Sequence, residues 1–241
     1  FYVHDLQAAG VDSNVGDGRK EGITGKCLVM VTPDAERTMN TFLGITETFS
    51  VDELHQDALL DSEYLYIEGY LVTSPTGRAA AVKARELAQA AGVKTALSFS
   101  DPGMVEFFRD GMTEIVGDRL DLIFCNQAEA LGWAETDNLE VAIEKIKQVA
   151  NSFVITLGAE GALTFDGSEL AEIPPHQVQA VDSNGAGDMF AGAFLYAITR
   201  GEDFPTAGRF ASLAAGKIVA NYGPRLAAAD YPALRAEFFG D

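Results

Sequence analysis

The sequence predicts an α/β fold in which helices flank a doubly wound, mainly parallel sheet, with a small antiparallel piece near the N-terminal side. Three observations support this prediction. The 241 residues are 47% hydrophobic, which provides enough apolar surface for one large core. From residue 64 onward, strand-like and helix-like segments alternate, as in right-handed βαβ crossovers. Residues 26–43 instead alternate like two short antiparallel strands.

The first elements along the chain are a short helix and a hairpin. Apolar residues from Phe1 to Val11 are spaced to line one side of a helix that ends near Gly10. The segments CLVMVT and RTMNTFL lie on either side of a Pro-Asp-Ala turn, which predicts a hairpin.

The alternating region begins with SEYLYIEGY. A helix from Pro75 to Ala91 is ended by Gly92, and Asn138 caps a helix with a single apolar stripe. The other predicted strands are VKTALSF, DLIFCN, FVITLG and GALTF, and the other predicted helices span 105–116, 186–200 and 205–222. In such a sheet, ligands bind at the carboxyl ends of the strands.

Charge and composition exclude several classes of partner. The chain has 17 Lys and Arg against 36 Asp and Glu, a net charge of −19, which disfavours nucleic acid. No stretch approaches the roughly 18 apolar residues of a membrane-spanning helix, so we expect a cytoplasmic protein without a membrane partner. Cys27 and Cys125 lie far apart, which favours buried free thiols over a disulfide or a zinc site.

The densest chemical signal is DSNGAGD at 182–188, followed by the apolar helix MFAGAFLYAI. Small residues that lead into a helix N-terminus leave N–H groups free, and the helix dipole adds to their preference for an anion such as phosphate. Asp188 could accept a proton from a substrate hydroxyl beside those amides. On spacing alone, a glycine turn with an acidic residue placed for the helix dipole is an equally good interpretation.

Two common nucleotide motifs are absent. A Walker loop requires Gly-Lys-Ser or Gly-Lys-Thr, and neither occurs in the sequence. The dinucleotide fingerprint fails because Phe190 occupies the last position after Gly185 and Gly187. A P-loop enzyme and a nicotinamide-dependent oxidoreductase are therefore disfavoured.

The segment DSNGAGDMFAGAFL resembles the C-terminal signature of the ribokinase family, also called the PfkB carbohydrate kinases, whose usual form is D-T-x-G-A-G-D. Three further family motifs follow the expected order: N-x-x-E at 126–129, T-x-G-x-x-G at 156–161, and Asn-Tyr-Gly at 221–223. TPDAERTMNTFLG and YIEGYLVTSP are most similar to adenosine-kinase-like members. The resemblance spans essentially the whole chain and implies a ribokinase-like fold in one domain, 1–241.

The resemblance implies a catalytic role for the glycine-rich turn. Asp188 would be the base that activates a primary hydroxyl of the acceptor. Gly185, Ala186 and Gly187 would supply the amides of an anion hole for the γ-phosphate of ATP.

The same resemblance implies a nucleotide site. Asn126 and Glu129 would hold hydrated Mg²⁺ near the ATP phosphates, although the residues alone favour helix capping. Thr156, Gly158 and Gly161 would line the phosphates and ribose, with an ordinary hairpin turn as the alternative.

Two further sets of residues complete the implied nucleotide site. Ser212 and Asn221 are expected near the adenine. Asp182 and Asn184 would contribute oxygens to the monovalent-cation site of many members, occupied by K⁺. Ser183-Asn184 stands where most relatives have Thr-Thr or Thr-x, so the sequence departs from the family pattern at this site.

On the acceptor side, residues 24–45 are expected to form an antiparallel lid, from which Arg37 and Asn40 would contact the substrate. A solvated strand face is a nearly equal alternative. Relatives begin with a strand, an acidic residue and a G-G-x-x-x-N segment, and none of these precedes Phe1, so we expect an N-terminal part of the fold to be missing. A homodimer through the lid strands is expected from the family only.

These residues predict an ATP-dependent phosphotransferase that acts on a primary hydroxyl of a nucleoside, adenosine being the first candidate. A kinase of a free sugar such as ribose, fructose or 2-keto-3-deoxygluconate is the alternative with the same chemistry. A nucleotide-binding protein without turnover is the alternative from another class.

Overall fold

The computed structural model describes residues 2–13 and 21–240, so Phe1 of the predicted first helix lies outside the described residues. The strands are β1 (Lys26–Val31), β2 (Arg37–Phe42), β3 (Tyr64–Glu68), β4 (Lys94–Ser98), β5 (Leu120–Asn126), β6 (Ala150–Thr156), β7 (Ala162–Phe165) and β8 (Leu170–Ile173). The α-helices are α1 (Tyr2–Ala8), α2 (Gln56–Leu60), α3 (Pro75–Ala91), α4 (Pro102–Phe107), α5 (Arg109–Val116), α6 (Gln127–Ala134), α7 (Leu139–Val149), α8 (Ala186–Ile198), α9 (Phe204–Val219) and α10 (Asp230–Phe239).

The main sheet has six strands in the order β3-β4-β5-β6-β7-β8. The pairs from β3 to β6 are parallel, whereas β6–β7 and β7–β8 are antiparallel. This confirms a mainly parallel sheet. The carboxyl ends of β3, β4, β5 and β6 therefore lie along one edge, where the candidate site is found.

Helices cover both faces of this sheet. Successive strand residues point to opposite faces, and apolar side chains on both faces are buried against helices. Ile123 packs with residues of α3, α5, α6 and α7, and its neighbour Phe124 packs with residues of α8, α9 and α10. On the second face, the Phe124 and Phe194 rings meet edge to face with centroids 5.7 Å apart. Two apolar layers thus hold the sheet, and α8 is fixed on the second of them.

The predicted hairpin is confirmed as the antiparallel pair β1–β2, with Val29 opposite Met39. Its strands are largely exposed, including Leu28 at 64% and Phe42 at 54%. The expectation that both cysteines are buried is wrong for Cys27, which lies exposed on β1, and correct for Cys125. The cause is that β1 has only one neighbouring strand in the described part of the chain.

Helix predictions held where strong local signals mark the ends. Helix α3 begins after the Ser74 side-chain cap and ends at Gly92, which has a φ of +76°. The single helix predicted over 105–116 is wrong, since α4 and α5 are separated at Phe108. Arg109 donates from its guanidinium group to the carbonyls of Trp133 and Gly132, at 2.9 and 2.6 Å, which fixes the start of α5 by a tertiary contact.

The end of α9 and the presence of α10 also differ from the sequence prediction. Helix α9 ends at Val219 rather than at residue 222, and α10 was not predicted. Phe238 and Phe239 of α10 pack on Phe210 with ring centroids 5.3 and 4.8 Å away. Within residues 2–13 and 21–240, no helix combines the length and apolar character needed to cross a bilayer.

Candidate active site

The candidate site lies at the carboxyl ends of β3, β4 and β5, facing the first turn of α8. Asp188, in that turn, is exposed, and its negative charge raises the pKa of Glu68 at the end of β3, after the larger effect of burial. Ligands of parallel α/β sheets bind at this edge. The geometry therefore brings the predicted base to the expected edge of the sheet.

Gly185 precedes α8 in a left-handed conformation, with a φ of +77°. A Cβ atom at this position would lie 2.5 Å from the carbonyl oxygen of Pro224, so a larger residue does not fit. The Ala186 N–H donates to the Ser183 carbonyl at 3.3 Å. Helical geometry leaves the remaining first-turn N–H groups, including that of the exposed Gly187, without an intrahelical acceptor. Free N–H groups at a helix N-terminus favour an anion, so the anion hole stays a prediction that this geometry allows.

The β1–β2 turn rests on the loop before α8. The Ser183 N–H donates to the Ala35 carbonyl at 3.2 Å, and Arg37 donates from Nη1 to Ser183 Oγ at 3.0 Å. Ala35 is 5% exposed and has a φ of +64°, unusual for a residue with a side chain. Arg37 is thus placed beside the glycine-rich turn, whereas Asn40 lies on the exposed strand β2, opposite Leu28.

Asn126 and Glu129 form a capping box at the start of α6. The Glu129 N–H donates to Asn126 Oδ1 at 2.9 Å, and Glu129 accepts from the Asn126 N–H at 2.9 Å and from Nδ2 at 2.7 Å. The capping interpretation is therefore confirmed, while a magnesium role stays a prediction. Glu129 is 4% exposed, and burial with the charge of Asp101 raises its pKa to about 7, against the lowering effects of the Asn126 N–H and Arg37.

Asp182 ties two loops together. It is 4% exposed, and its carboxylate accepts the Asn184 N–H at one oxygen and the Gly223 N–H at the other, both at 2.9 Å. The loops at 182–184 and 221–223, which the resemblance places around a cation, therefore lie together. Here, backbone N–H groups satisfy both oxygens.

The turn at 156–161 joins the antiparallel strands β6 and β7, which confirms the hairpin interpretation. Gly158 has a φ of +60° and Gly161 a φ of +97°. A Cβ atom on Gly161 would lie 2.0 Å from the Ile173 carbonyl oxygen, so this turn requires glycine there. Thr156 ends β6 directly opposite Asn126 of β5, which places it on the same edge of the sheet as the capping box.

The two residues expected near the adenine lie in different settings. Ser212 is nearly buried in α9; its hydroxyl accepts from the His176 N–H and donates to the Pro174 carbonyl, both at 3.0 Å. That hydroxyl fastens the segment after β8 to α9. Asn221 is exposed after α9 and donates from Nδ2 to the Lys217 carbonyl at 2.8 Å.

Sequence reasoning missed a polar network that links the ends of β3 and β4. The Ser100 hydroxyl accepts from the Gly69 N–H at 2.9 Å and donates to Glu68 Oε2 at 3.2 Å. Tyr70 donates from its hydroxyl to the Ser100 carbonyl at 3.1 Å. Burial, followed by the charges of Asp101 and Asp188, raises the pKa of Tyr70 to about 12. The available signal was the run of polar residues at two strand ends, YIEGY and SFSDPG.

Comparisons with known proteins bear on the family and the fold of the chain. The family model described as pfkB family carbohydrate kinase matches residues 1–230. The adenosine kinase of Saccharomyces cerevisiae is 30% identical over 199 residues, which cover 76% of this chain and 57% of that enzyme. The chain thus spans less than two thirds of this relative's length.

Two solved structures are similar over nearly the whole chain. The adenosine kinase from Sinorhizobium meliloti has a TM-score of 0.90 and 31% identity. The probable sugar kinase protein from Rhizobium etli has a TM-score of 0.91 and 29% identity. Each comparison covers 98% of this chain and 73% of the other, and together they confirm the predicted fold.

Proposed function

Because the chain belongs to the pfkB family of carbohydrate kinases, we propose that the gene product containing it is an ATP-dependent kinase. It transfers the γ-phosphoryl group to a primary hydroxyl of a nucleoside, adenosine first, or of a sugar. The observation that carries the proposal is the placement of Asp188 in the glycine-led first turn of α8, opposite the carboxyl ends of the parallel strands.

The proposed reaction uses the two properties of that turn. Asp188 accepts the proton of the acceptor hydroxyl as the oxygen attacks the γ-phosphorus in line. The bond from the γ-phosphorus to the bridging oxygen breaks, and its electron pair leaves with ADP. The N–H groups of the turn and the positive end of the α8 dipole stabilise the charge on the transferring group.

The nucleotide is proposed to lie along the ends of β5 and β6, with Thr156, Gly158 and Gly161 near its phosphates. Mg²⁺, when bound with ATP, neutralises phosphate charge. Glu129 fits such an ion because a buried carboxyl group with a raised pKa beside another carboxylate is stabilised by a cation. In the described ranges, no group of three His, Cys, Asp or Glu side chains could hold a metal, which favours binding through water and phosphate oxygens.

The remaining site residues have proposed roles that are open to direct test. Residues 24–45 would act as a lid, and Arg37 would bring positive charge to the phosphates through its position beside Ser183. K⁺ would lie beside Asp182 and Asn184. Because Asp182 already joins its two loops through backbone N–H groups, comparing rates in K⁺ and Na⁺ buffers tests this site directly.

Two names among the relatives support different acceptors. The yeast and Sinorhizobium proteins are named adenosine kinases, which supports a nucleoside. The Rhizobium protein is named a probable sugar kinase, which supports the alternative acceptor class.

ADP release by the complete gene product with Mg-ATP tests the proposal. The panel contains adenosine, other nucleosides, ribose, fructose and 2-keto-3-deoxygluconate. Turnover on adenosine alone supports the nucleoside assignment, and turnover on a sugar changes only the acceptor. ATP binding without transfer to any acceptor would instead support the nucleotide-binding alternative.

A further inference from the structure

We propose that the place where the end of α8 meets α10 is a second ligand site, at which Arg200, supported by the charge of Arg235, binds the phosphate group of a phosphorylated sugar or nucleoside. Asp188 lies at the other end of α8, so this site is separate from the proposed transfer site. None of the sequence motifs includes either arginine.

Arg200 and Arg235 lie against one aromatic ring. Their Cζ atoms are 4.4 and 6.0 Å from the centroid of the Tyr196 ring. Within residues 2–13 and 21–240, neither side chain makes a hydrogen bond or an ion pair with the protein. The other arginines in those ranges all make such a contact: Arg37, Arg78, Arg85, Arg109, Arg119, Arg209 and Arg225. Two guanidinium groups, with five N–H donors each, are therefore available to an external acceptor.

A cavity of about 320 Å³ opens to solvent here and is lined by Tyr196, Arg200, Glu202 and Phe239. Small-molecule sites begin at roughly 300 Å³, so the space suits a ligand of the size of a sugar phosphate. The Tyr196 and Phe239 rings have centroids 6.5 Å apart, and both pack on the buried Phe210, at 5.8 and 4.8 Å. The aromatic walls are therefore held in place before a ligand binds.

The side chains around the cavity define the class of ligand. A guanidinium fork matches the oxygens of a phosphate group, and a phosphate monoester carries about −1.5 to −2 charge at pH 7, which two guanidinium groups balance. Glu202 is half-buried at the cavity, and its ionised carboxylate only accepts hydrogen bonds, so it suits a ligand hydroxyl. The Phe239 ring offers an apolar surface to a sugar or a base.

Helix α8 separates this cavity from the glycine-rich turn. Tyr196 lies about 12 Å from Asp188 along the helix axis, at about 1.5 Å per residue. A phosphorylated nucleoside or sugar is also the class of product that the proposed kinase releases, so AMP serves as the probe. This choice of probe rests on the proposed function, whereas the site itself does not.

The test places a fluorescent reporter in the cavity by Phe239→Trp in the complete gene product. Trp133, the one tryptophan of the 241 residues, packs on Phe99 on the other face of the sheet. Titration of the protein without the reporter gives the background signal. AMP, adenosine and inorganic phosphate are titrated in turn, and the AMP titration is repeated after Arg200→Ala, Arg235→Ala, Arg200→Lys and Lys83→Ala. Lys83 is an exposed cation of α3, on the other face of the sheet, and is the matched control for charge.

We expect AMP to change the reporter signal saturably, adenosine to leave it unchanged, and inorganic phosphate to bind more weakly than AMP. Arg200→Ala should raise the Kd for AMP roughly 10- to 100-fold, the effect of losing hydrogen bonds between charged groups. Arg235→Ala should give a smaller rise, and Arg200→Lys, which keeps the charge without the fork, should recover part of the affinity. Lys83→Ala should stay within about twofold of the parent Kd. If Phe239→Trp does not fold, calorimetry with AMP gives the same comparison between wild type and Arg200→Ala.

Different results separate this inference from the proposed function. A Kd for AMP that Arg200→Ala leaves unchanged, or the absence of AMP binding at the reporter, overturns the second site. Inorganic phosphate that binds as tightly as AMP overturns the assignment to a phosphate ester. In an active enzyme, ADP release by Arg200→Ala should match the wild type, and a fall parallel to the loss of AMP binding would overturn the separation of the two sites. A wild type that transfers phosphate to no acceptor overturns only the kinase proposal, because the fluorescence titration needs no turnover.

Discussion

Replacing Glu129 with Gln should change how the free energy of unfolding depends on pH. The folded protein keeps a proton on Glu129 up to about pH 7, whereas the ordinary pKa is 4.5. Between these values the folded state binds a proton that the unfolded state has released. The stability contributed by this group is therefore greatest at low pH and falls as pH rises.

The size of the effect follows from the burial of Glu129, which is 4% exposed and so is little screened by solvent. At about 1.4 kcal/mol per pH unit, the wild type should lose roughly 3 kcal/mol between pH 4.5 and 8 through this group. Gln does not ionise, so its contribution to the unfolding free energy does not change with pH. It keeps an acceptor for the Asn126 N–H but loses the bond from Nδ2, a cost of about 1 kcal/mol at every pH.

Urea unfolding at pH 5, 6.5 and 8 measures this difference. Glu129→Gln should lie within about 0.5 kcal/mol of the wild type at pH 5, where the wild type has already lost part of this contribution, and should be more stable than the wild type by about 2 kcal/mol at pH 8. Glu140→Gln, which changes an exposed first-turn carboxylate of α7, should show no such pH-dependent difference. A difference between wild type and Glu129→Gln that stays constant across the three pH values would refute the reasoning.

Three further changes test the turn, the caps and the lid. Gly185→Ala should lower the unfolding free energy by at least about 1 kcal/mol and abolish ADP release, because its Cβ would meet Pro224. Gly187→Ala should keep wild-type stability in thermal unfolding, because a Cβ atom there would have no atom within 4 Å. Asn138→Ala should cost about 1 kcal/mol in urea unfolding, because its side chain caps α7, with ADP release unchanged. Arg37→Ala should slow ADP release while changing the unfolding free energy by less than about 1 kcal/mol, because the side chain is exposed. A wild-type rate of ADP release, or a slower rate explained by a larger loss of unfolding free energy, would contradict its proposed role.

Local signals were sufficient for much of the fold. Helix α3 was predicted to its ends because Pro75 and Gly92 act within one helical turn of the boundaries they set. The break at Phe108 could not be predicted, because the apolar spacing continues through it and the fixing contact runs from Arg109 to carbonyls of α6. Tertiary contacts of this kind leave no local pattern.

Part of the candidate site could likewise be predicted from local sequence, and part could not. The turn at 182–188 is contiguous, so its small residues and Asp188 could be recognised together. Ser100 and Glu68 are separated by 32 residues, and Arg37 and Ser183 by 146, so only the fold brings each pair into contact. Polar residues at the ends of parallel strands were the available signal for Glu68. That signal does not show which side chain Glu68 hydrogen-bonds to.

Phosphoryl transfer by Asp188→Asn tests the central claim most directly. The variant keeps the glycine turn and its N–H groups but removes the proton acceptor. With Mg-ATP and the preferred acceptor, ADP release should fall by at least about 100-fold. The dissociation constant for ATP, measured by calorimetry, should stay within about twofold of the wild-type value. Transfer at the wild-type rate by Asp188→Asn would contradict the proposed mechanism.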